Sequence, residues 1–125
     1  GSYELSSGAV AVLSNVAKVL NNQPNLEFLV EGHTDNVPMK SSVIKDNWDL
    51  SALRATSVVR ALQTKYGIDP KRMTAGGRSE YLPVTSNATA SGKAANRRTR
   101  IVVLPQLDQF FQLLTPNTVA DKPAE

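Results

Sequence analysis

Helical and strand-like spacings of apolar residues alternate along this chain of 125 residues, and the alternation limits the architectures available to it. Steps of three and four residues predict a first helix with one apolar stripe and a second apolar row beside it. The stripe is Val10, Leu13, Ala17 and Leu20, and the row is Val12, Val16 and Val19. Because the two rows together cover a wide arc, we expect this helix to be buried on a broad face. Strict alternation over residues 26–30 then predicts a strand.

The alternation continues through the rest of the chain. A second helix is predicted to open within residues 47–51, where Asp49 or Ser51 can cap it, and to stop at Gly67. Two short strands are predicted at residues 73–77 and 99–104, with a loop-rich segment between them at residues 78–95. A final amphipathic helix is predicted at residues 107–114. This order favours helices packed against one sheet, which is a two-layer α/β domain.

Composition narrows the classes of function. The chain has no cysteine, which excludes a disulfide scaffold, a thiol nucleophile and a cysteine zinc site, and its single histidine, His33, excludes multi-histidine metal sites. No apolar run approaches the roughly 18–20 residues of a membrane span. No signal peptide is visible at the start, so we expect either a cytosolic chain or a piece of a longer exported protein. The net charge of +3 permits an acidic partner without demanding one.

A polar cluster with the sequence Glu-Gly-His-Thr-Asp, residues 31–35, directly follows the first predicted strand. One interpretation is a solvated turn in which Asp35 caps the backbone. A second is a ligand site held rigidly by the strand, with His33 and Asp35 as two metal ligands that lack a third. A third is a hydrolase with His33 as its base, for which Ser51 and Asp49 are the right residue types for the nucleophile and the orienting acid, although no nucleophile-elbow motif surrounds any serine.

Two further clusters carry arginines. The second cluster, residues 47–55, places Arg54 in the expected first turn of the second helix, where its charge opposes the helix dipole and hints at a functional use. The third cluster, Asn-Arg-Arg-Thr-Arg at residues 96–100, is either a solvated basic face or a site for phosphate or carboxylate. Its charge would suit nucleic acid, but the one Trp, three Tyr and three Phe of the chain are not interleaved with it.

The three clusters, in this order, resemble the C-terminal domain of OmpA-like proteins, a family that includes peptidoglycan-associated lipoproteins and the flagellar stator protein MotB. The matching motifs are Gly32-His33-Thr34-Asp35, Asn47-x-x-Leu50-Ser51-x-x-Arg54-Ala55, Gly67-Ile68, Gly76-Gly77, Pro83 and Asn96-Arg97-Arg98. The resemblance covers residues 3–104, with the family's first strand only partly present near residues 3–5. The loop between Asp35 and Asn47 is longer than in the shortest members and resembles the MotB type.

The resemblance implies both a fold and a ligand. The fold would be a mixed β-sheet of about four strands with helices packed on one face. It would occupy residues 1–104, followed by an amphipathic helix and flexible tail at residues 105–125. The function would be non-covalent peptidoglycan binding through the diaminopimelate of the stem peptide, with Asp35 accepting from its ammonium and Arg54 donating to its carboxylate. Further pocket residues would be Thr34, Asn47, Leu50 and Arg97.

The resemblance also implies a protein without catalytic activity, cofactor or metal. The domain would act in the periplasm, and the rest of a Gram-negative envelope protein would tether it to the outer or inner membrane. The stem peptide would be its partner, without nucleic acid or a membrane contact of its own, and with a homodimer as a further option. Two alternatives stay open: a small periplasmic hydrolase around His33 and Asp35, and an oligomerisation module that uses the C-terminal helix with Phe110 and Phe111.

Overall fold

The computed structural model describes residues 7–104, with side chains from residue 11 onward. Within this range there are three α-helices, α1 (Ser7–Asn21), α2 (Asn47–Tyr66) and α3 (Ala90–Asn96). The strands of the same range are β1 (Phe28–Gly32), β2 (Met73–Gly77) and β3 (Thr99–Val103), and a 3₁₀ turn at Pro70–Arg72 leads into β2. The α/β fold class is therefore confirmed.

The sheet has the order β2-β1-β3, with β1 parallel to β2 and antiparallel to β3. The prediction of a mixed sheet is thus confirmed, and the described residues contribute three strands to it. The partial strand expected near residues 3–5 and the helix and tail expected at residues 105–125 lie outside the described residues. Because β1 is central, whatever follows its last residue emerges between two neighbouring strands.

The core is built by the apolar face of β1 and the apolar stripes of α1 and α2. Phe28 and Val30 are fully buried on that face. The other buried apolar residues of the cluster are Leu13, Ala17, Leu20, Ala55, Val58, Ala61, Leu62 and Ile68. Each large side chain buried in this way contributes roughly 1.5–3 kcal/mol to stability. Within residues 7–104, no helix is both long and apolar enough to cross a membrane.

The second apolar row of α1 is not buried, so the prediction of a broad buried face is wrong. Val12 and Val19 are 61% and 64% exposed, and Val16 is only partly buried against the core. The helix therefore meets the core through one stripe. Isolated valines on a surface are common, because polar residues alone cannot cover a folded protein.

The structure confirms the residue predicted for the carboxyl end of α2 but not the residues predicted for its amino end. Asp46, rather than Asp49 or Ser51, caps the amino end, since its carboxylate accepts a hydrogen bond from the Asp49 backbone N–H at 3.2 Å. The carboxyl end stops at Gly67 as predicted. This glycine has a φ of 68°, a left-handed conformation that a residue without Cβ adopts at little cost.

The start of α2 approaches the sheet closely because two glycines leave room for it. A Cβ on Gly32 would overlap the carbonyl oxygen of Ser51, and a Cβ on Gly77 would overlap the Ser51 hydroxyl. That hydroxyl donates to the carbonyl of Trp48 and accepts from the Ser79 N–H, both at 3.0 Å. These contacts hold the first turns of α2 over the ends of β1 and β2.

The segment predicted to be loop-rich, residues 78–95, contains most of α3. Thr89 caps this helix by accepting a hydrogen bond from the Gly92 N–H at 3.0 Å. Asn96 at the end of α3 is fully buried and makes four hydrogen bonds to the preceding loop, with Val84, Thr85 (twice) and Asn87 as partners. Because Arg97 follows directly, this anchor also fixes the point from which the Arg97 side chain extends.

Candidate functional site

The first polar cluster, residues 31–35, continues from β1 to a pocket beside the sheet. Its backbone remains bonded on both sides, since the His33 N–H donates to the Arg98 carbonyl (2.8 Å) and the Thr34 N–H donates to the Ser79 carbonyl (3.0 Å). All five residues of the cluster are buried, so the prediction of a solvated turn is wrong, although Asp35 does cap a backbone N–H as that interpretation expected. The two backbone bonds instead deliver the next residue, Asp35, to a fixed position.

Asp35 is only 5% exposed, and each of its carboxylate oxygens has a partner. Oδ2 pairs with Nη1 of Arg97 at 2.6 Å, and Oδ1 accepts from the Val37 N–H at 3.0 Å. Burial alone would raise the pKa of this carboxyl, but the Val37 N–H and the Arg97 guanidinium outweigh burial and hold the pKa below its ordinary value. Asp35 is therefore ionised at neutral pH.

Arg54 enters the same pocket from α2, where its Nη1 donates to the His33 carbonyl at 2.9 Å. It lies about two turns into the helix, so the expectation of a first-turn arginine opposing the helix dipole is wrong. Burial lowers the pKa of Arg54, and the nearby charge of Arg97 lowers it further, while Asp35 raises it. Since an arginine stays protonated in proteins, the pocket contains two cations close to each other.

The pocket has a volume of about 590 Å³, a size suited to a small molecule or a peptide side chain. Its lining brings together five of the predicted site residues, Thr34, Asp35, Leu50, Arg54 and Arg97. Val37 and Met39 complete the lining, and neither was predicted from the sequence as a site residue. The only signal for them was the resemblance of their loop to the MotB type. The walls therefore combine one carboxylate and two guanidiniums with an apolar side.

Asn47, the remaining predicted site residue, supports the pocket from behind and is not part of its lining. Its side-chain amide donates to the Val37 carbonyl (3.1 Å), to Glu80 Oε1 (3.2 Å) and, at greater length, to the Asp35 carbonyl (3.4 Å). The residue is itself buried. Asn47 therefore ties the loop that forms one wall of the pocket to the first residue of α2.

His33 does not face the pocket. Its ring is fully buried, and Nε2 lies 3.2 Å from Oε1 of Glu31. Burial lowers the pKa of His33 by more than Glu31 raises it, so the ring is neutral at pH 7. An enclosed ring cannot act as a base on a substrate in the pocket, and the Ser51 hydroxyl is buried as well. The part of the chain that the structure describes also contains no group of three His, Asp or Glu arranged to hold a metal.

The three arginines of the third cluster have separate surroundings. Arg97 enters the pocket, whereas Arg98 donates to the carbonyl of Leu82 at 3.0 Å and so secures a loop. Arg100 lies 3.9 Å from Glu31, away from the pocket lining. The cluster is therefore not one continuous basic face, and Arg97 alone among these arginines lines the pocket.

A mixed sheet with a carboxylate and two arginines beside the end of its central strand defines a domain of the OmpA type. The chain belongs to the OmpA family, whose match covers residues 1–97. Motility protein B of Bacillus subtilis (strain 168) is 37% identical over 97 residues, which are 78% of this chain and 37% of that protein. The chain spans less than half the length of the curated relatives it matches.

Solved structures agree with this assignment. The cell wall anchor of the T6SS from Pseudomonas aeruginosa is 37% identical, with a TM-score of 0.72 over 84% of this chain and 72% of that chain. The peptidoglycan-associated lipoprotein from Burkholderia pseudomallei is 29% identical, with a TM-score of 0.70 over 82% of this chain and 83% of that chain.

Proposed function

We propose that this domain binds peptidoglycan non-covalently, by recognising diaminopimelate in the stem peptide, and thereby anchors a larger envelope protein to the cell wall. The observation that carries the proposal is the convergence of Asp35, Arg54 and Arg97 on one pocket. The similarity to a cell wall anchor and to a peptidoglycan-associated lipoprotein supports it.

Diaminopimelate suits a pocket that contains both signs of charge. The free end of its side chain bears an ammonium and a carboxylate on the same carbon. Asp35, whose low pKa keeps it ionised, can accept a hydrogen bond from the ammonium through the unused lone pairs of its oxygens. Arg54 offers the planar guanidinium that best matches a carboxylate.

The apolar side of the pocket suits the methylene chain that joins the two ends of diaminopimelate. Leu50, Val37 and Met39 line the pocket beside the charged groups. Burial of each methylene against such a wall is worth about 0.8 kcal/mol. The wall therefore adds affinity, and the charged groups supply selectivity.

Selectivity against lysine-type stem peptides follows from the same geometry. Lysine keeps the amine for Asp35 but lacks the carboxylate that Arg54 would bind. A charge-assisted hydrogen bond contributes about 1.5–3 kcal/mol, so losing it should weaken binding by about tenfold to a hundredfold.

We assign the domain a binding role rather than a catalytic one. Among the described residues that line the pocket, Asp35 is the one carboxylate, and it is ionised and paired with Arg97. Hydrolysis of a glycan typically uses two carboxyl groups in different protonation states. The place of action would be the periplasm, where peptidoglycan lies, and the membrane tether would belong to the rest of the parent protein.

Calorimetric titration with an Ala–γ-D-Glu–diaminopimelate tripeptide and its lysine counterpart tests the proposal. We expect wild type to bind the first at least about tenfold more tightly, and Asp35→Asn and Arg54→Gln each to weaken that binding about tenfold to a hundredfold. Arg60→Gln, which removes an exposed arginine elsewhere on α2, is the matched control and should leave the affinity unchanged. Folded wild type that binds neither peptide would overturn the proposal, and equal binding of both would overturn the assignment of diaminopimelate.

A further inference from the structure

We infer that the pocket binds a second carboxylate of its ligand through Arg97, and that it therefore prefers stem peptides whose acidic groups are not amidated. The inference rests on the proposed function, because it concerns the same pocket and the same class of ligand. It extends that function from the recognition of one residue to the recognition of the charge state of its neighbour.

The charged residues of the pocket do not balance. Asp35 supplies one negative charge, and Arg54 and Arg97 supply two positive charges. Lys93 adds to this excess, since its charge is close enough to lower the pKa of Asp35 as well. The free end of diaminopimelate carries one charge of each sign and so leaves the excess uncompensated. A second ligand carboxylate would balance it, and complementary charge is what gives specificity at such a site.

Arg97 is positioned to bind a further acceptor. One of its nitrogens, Nη1, holds Asp35 at 2.6 Å, and a guanidinium has five N–H donors, so most of the group remains to bind another acceptor. The Arg97 side chain is 41% exposed, whereas Arg54 is half-buried against the His33 carbonyl. Arg97 therefore presents its donors on the side of the pocket that is more open to solvent.

The chemistry of the stem peptide identifies the acceptor. The residue before diaminopimelate is a γ-linked glutamate, and its α-carboxylate is either free or converted to an amide. The diaminopimelate side chain and the γ-linkage place about ten bonds between this carboxylate and the free end held at Asp35 and Arg54, and most of these bonds rotate, so the carboxylate can turn back to Arg97. Amidation removes the negative charge and replaces one acceptor oxygen with an N–H₂ group, which cannot accept from a guanidinium.

A different role for Arg97 makes a different prediction. If Arg97 served only to hold Asp35 in place, its loss would weaken the binding of acidic and amidated peptides equally. If it binds the second carboxylate, its loss should weaken binding of the acidic peptide more. The two roles are therefore separable by a double-mutant cycle in which one change is in the protein and the other in the ligand.

The experiment is calorimetric titration of two diaminopimelate tripeptides whose C-terminal carboxyl is capped as a methylamide, one with γ-linked glutamate and one with its α-amide. Wild type should bind the acidic peptide about tenfold more tightly, as expected for one charge-assisted hydrogen bond. Arg97→Gln should lose most of that preference. Arg60→Gln, with the same loss of charge at an exposed residue outside the pocket lining, should retain it.

Equal affinity of wild type for both peptides would overturn the inference and leave the proposed function standing. This comparison needs no variant, so it decides the question even if Arg97→Gln proves unstable. An equal loss of affinity for both peptides in Arg97→Gln would also overturn it, because Arg97 would then act only on Asp35. Failure of wild type to bind either peptide would contradict the proposed function itself.

Discussion

Glu31 and Asp35 lie four residues apart at the end of β1, and both are buried carboxylates beside arginines. Their exposed fractions are 7% and 5%, respectively. Glu31 is 3.9 Å from both Arg78 and Arg100, and Asp35 is 2.6 Å from Arg97. By residue type and spacing, either one could be the centre of a ligand site.

The surroundings of the two carboxylates separate them. Glu31 follows Val30 in β1, and neighbouring residues of a strand point to opposite faces of the sheet. Since Val30 faces the core, Glu31 lies on the other face, where the His33 ring and two arginines surround it. Asp35 comes after the strand has ended and lines the 590 Å³ pocket. A buried carboxylate beside arginines therefore becomes a candidate site only where an adjoining cavity admits a ligand.

The largest expected effect comes from a change at Gly32, which lies between the two carboxylates in sequence and allows α2 to approach the sheet. Gly32→Ala would place a Cβ against the carbonyl oxygen of Ser51, which is backbone of α2 and cannot move without shifting the helix. We expect this variant to lose about 2–3 kcal/mol of unfolding free energy, measured by urea denaturation.

Gly76→Ala is the matched control for that experiment, because Gly76 lies opposite Glu31 in the register of β1 and β2. A Cβ there meets only the Leu29 Cδ1 at 3.4 Å, an ordinary contact. We expect a change smaller than about 1 kcal/mol. Equal losses in the two variants would contradict the close approach of α2 as the cause.

The second prediction separates the two carboxylates by function. Glu31→Gln retains an oxygen for the His33 ring but removes the charge that faces two arginines. We therefore expect a loss of about 1 kcal/mol in the free energy of unfolding. The affinity for the diaminopimelate tripeptide should not change, because Glu31 does not line the pocket. Asp35→Asn should lose affinity by at least about tenfold. Urea denaturation and calorimetry on both variants measure the contrast. A loss of affinity in Glu31→Gln as large as in Asp35→Asn would show that the two groups form one site.

The helices and strands around the site could largely be predicted from local sequence. The predictions were wrong where contacts between residues distant in sequence determine the structure. Gly67 ends α2 for a reason contained in its own residue type. The amino end is different, because Asp46, Asp49 and Ser51 are all good caps and lie within one and a half turns. The Ser51 hydroxyl is bonded instead to Trp48 and to Ser79, and the contact with Ser79, which is distant in sequence, has no local signal. The misplacement of Arg54 in the helix followed from this uncertainty about where α2 begins.

The site itself divides in the same way. The resemblance of motifs was enough to single out Asp35 and Arg54. The pairing of Asp35 with Arg97 joins residues 62 positions apart, and no local pattern specifies that they meet. The residue type of His33 is compatible with a general base, whereas its burial against Glu31 excludes that role. Val37 and Met39 lie in an irregular loop without periodicity, so their place in the lining depends on tertiary contacts such as those of Asn47.

The smallest expected effect concerns pH. His33, beside Glu31, and Asp35, in the pocket, should reduce the stability of the protein at different pH values. Burial, together with the charges of Arg98 and Arg78, outweighs Glu31 and lowers the pKa of His33 below 6.5. The unfolded chain therefore binds more protons than the folded one between that lowered pKa and 6.5, and stability should decrease as the pH falls below 6.5. The slope is at most about 1.4 kcal/mol per pH unit. The pKa of Asp35 is also lowered, and its contribution is lost only below pH 3.8, as the pH falls through the folded pKa.

His33→Gln tests this separation, because His33 is the sole histidine of the chain and other side chains do not ordinarily titrate between about pH 5 and 6.5. Urea denaturation at stepped pH should show a flat profile for the variant over that range, with the loss below pH 3.8 retained. The affinity of wild type for the diaminopimelate tripeptide should stay level across the same range, since Asp35 remains ionised there. If the affinity instead declined together with the stability between about pH 5 and 6.5, protonation of His33 would affect the pocket. The connection would be the backbone carbonyl of His33, which accepts a hydrogen bond from Arg54.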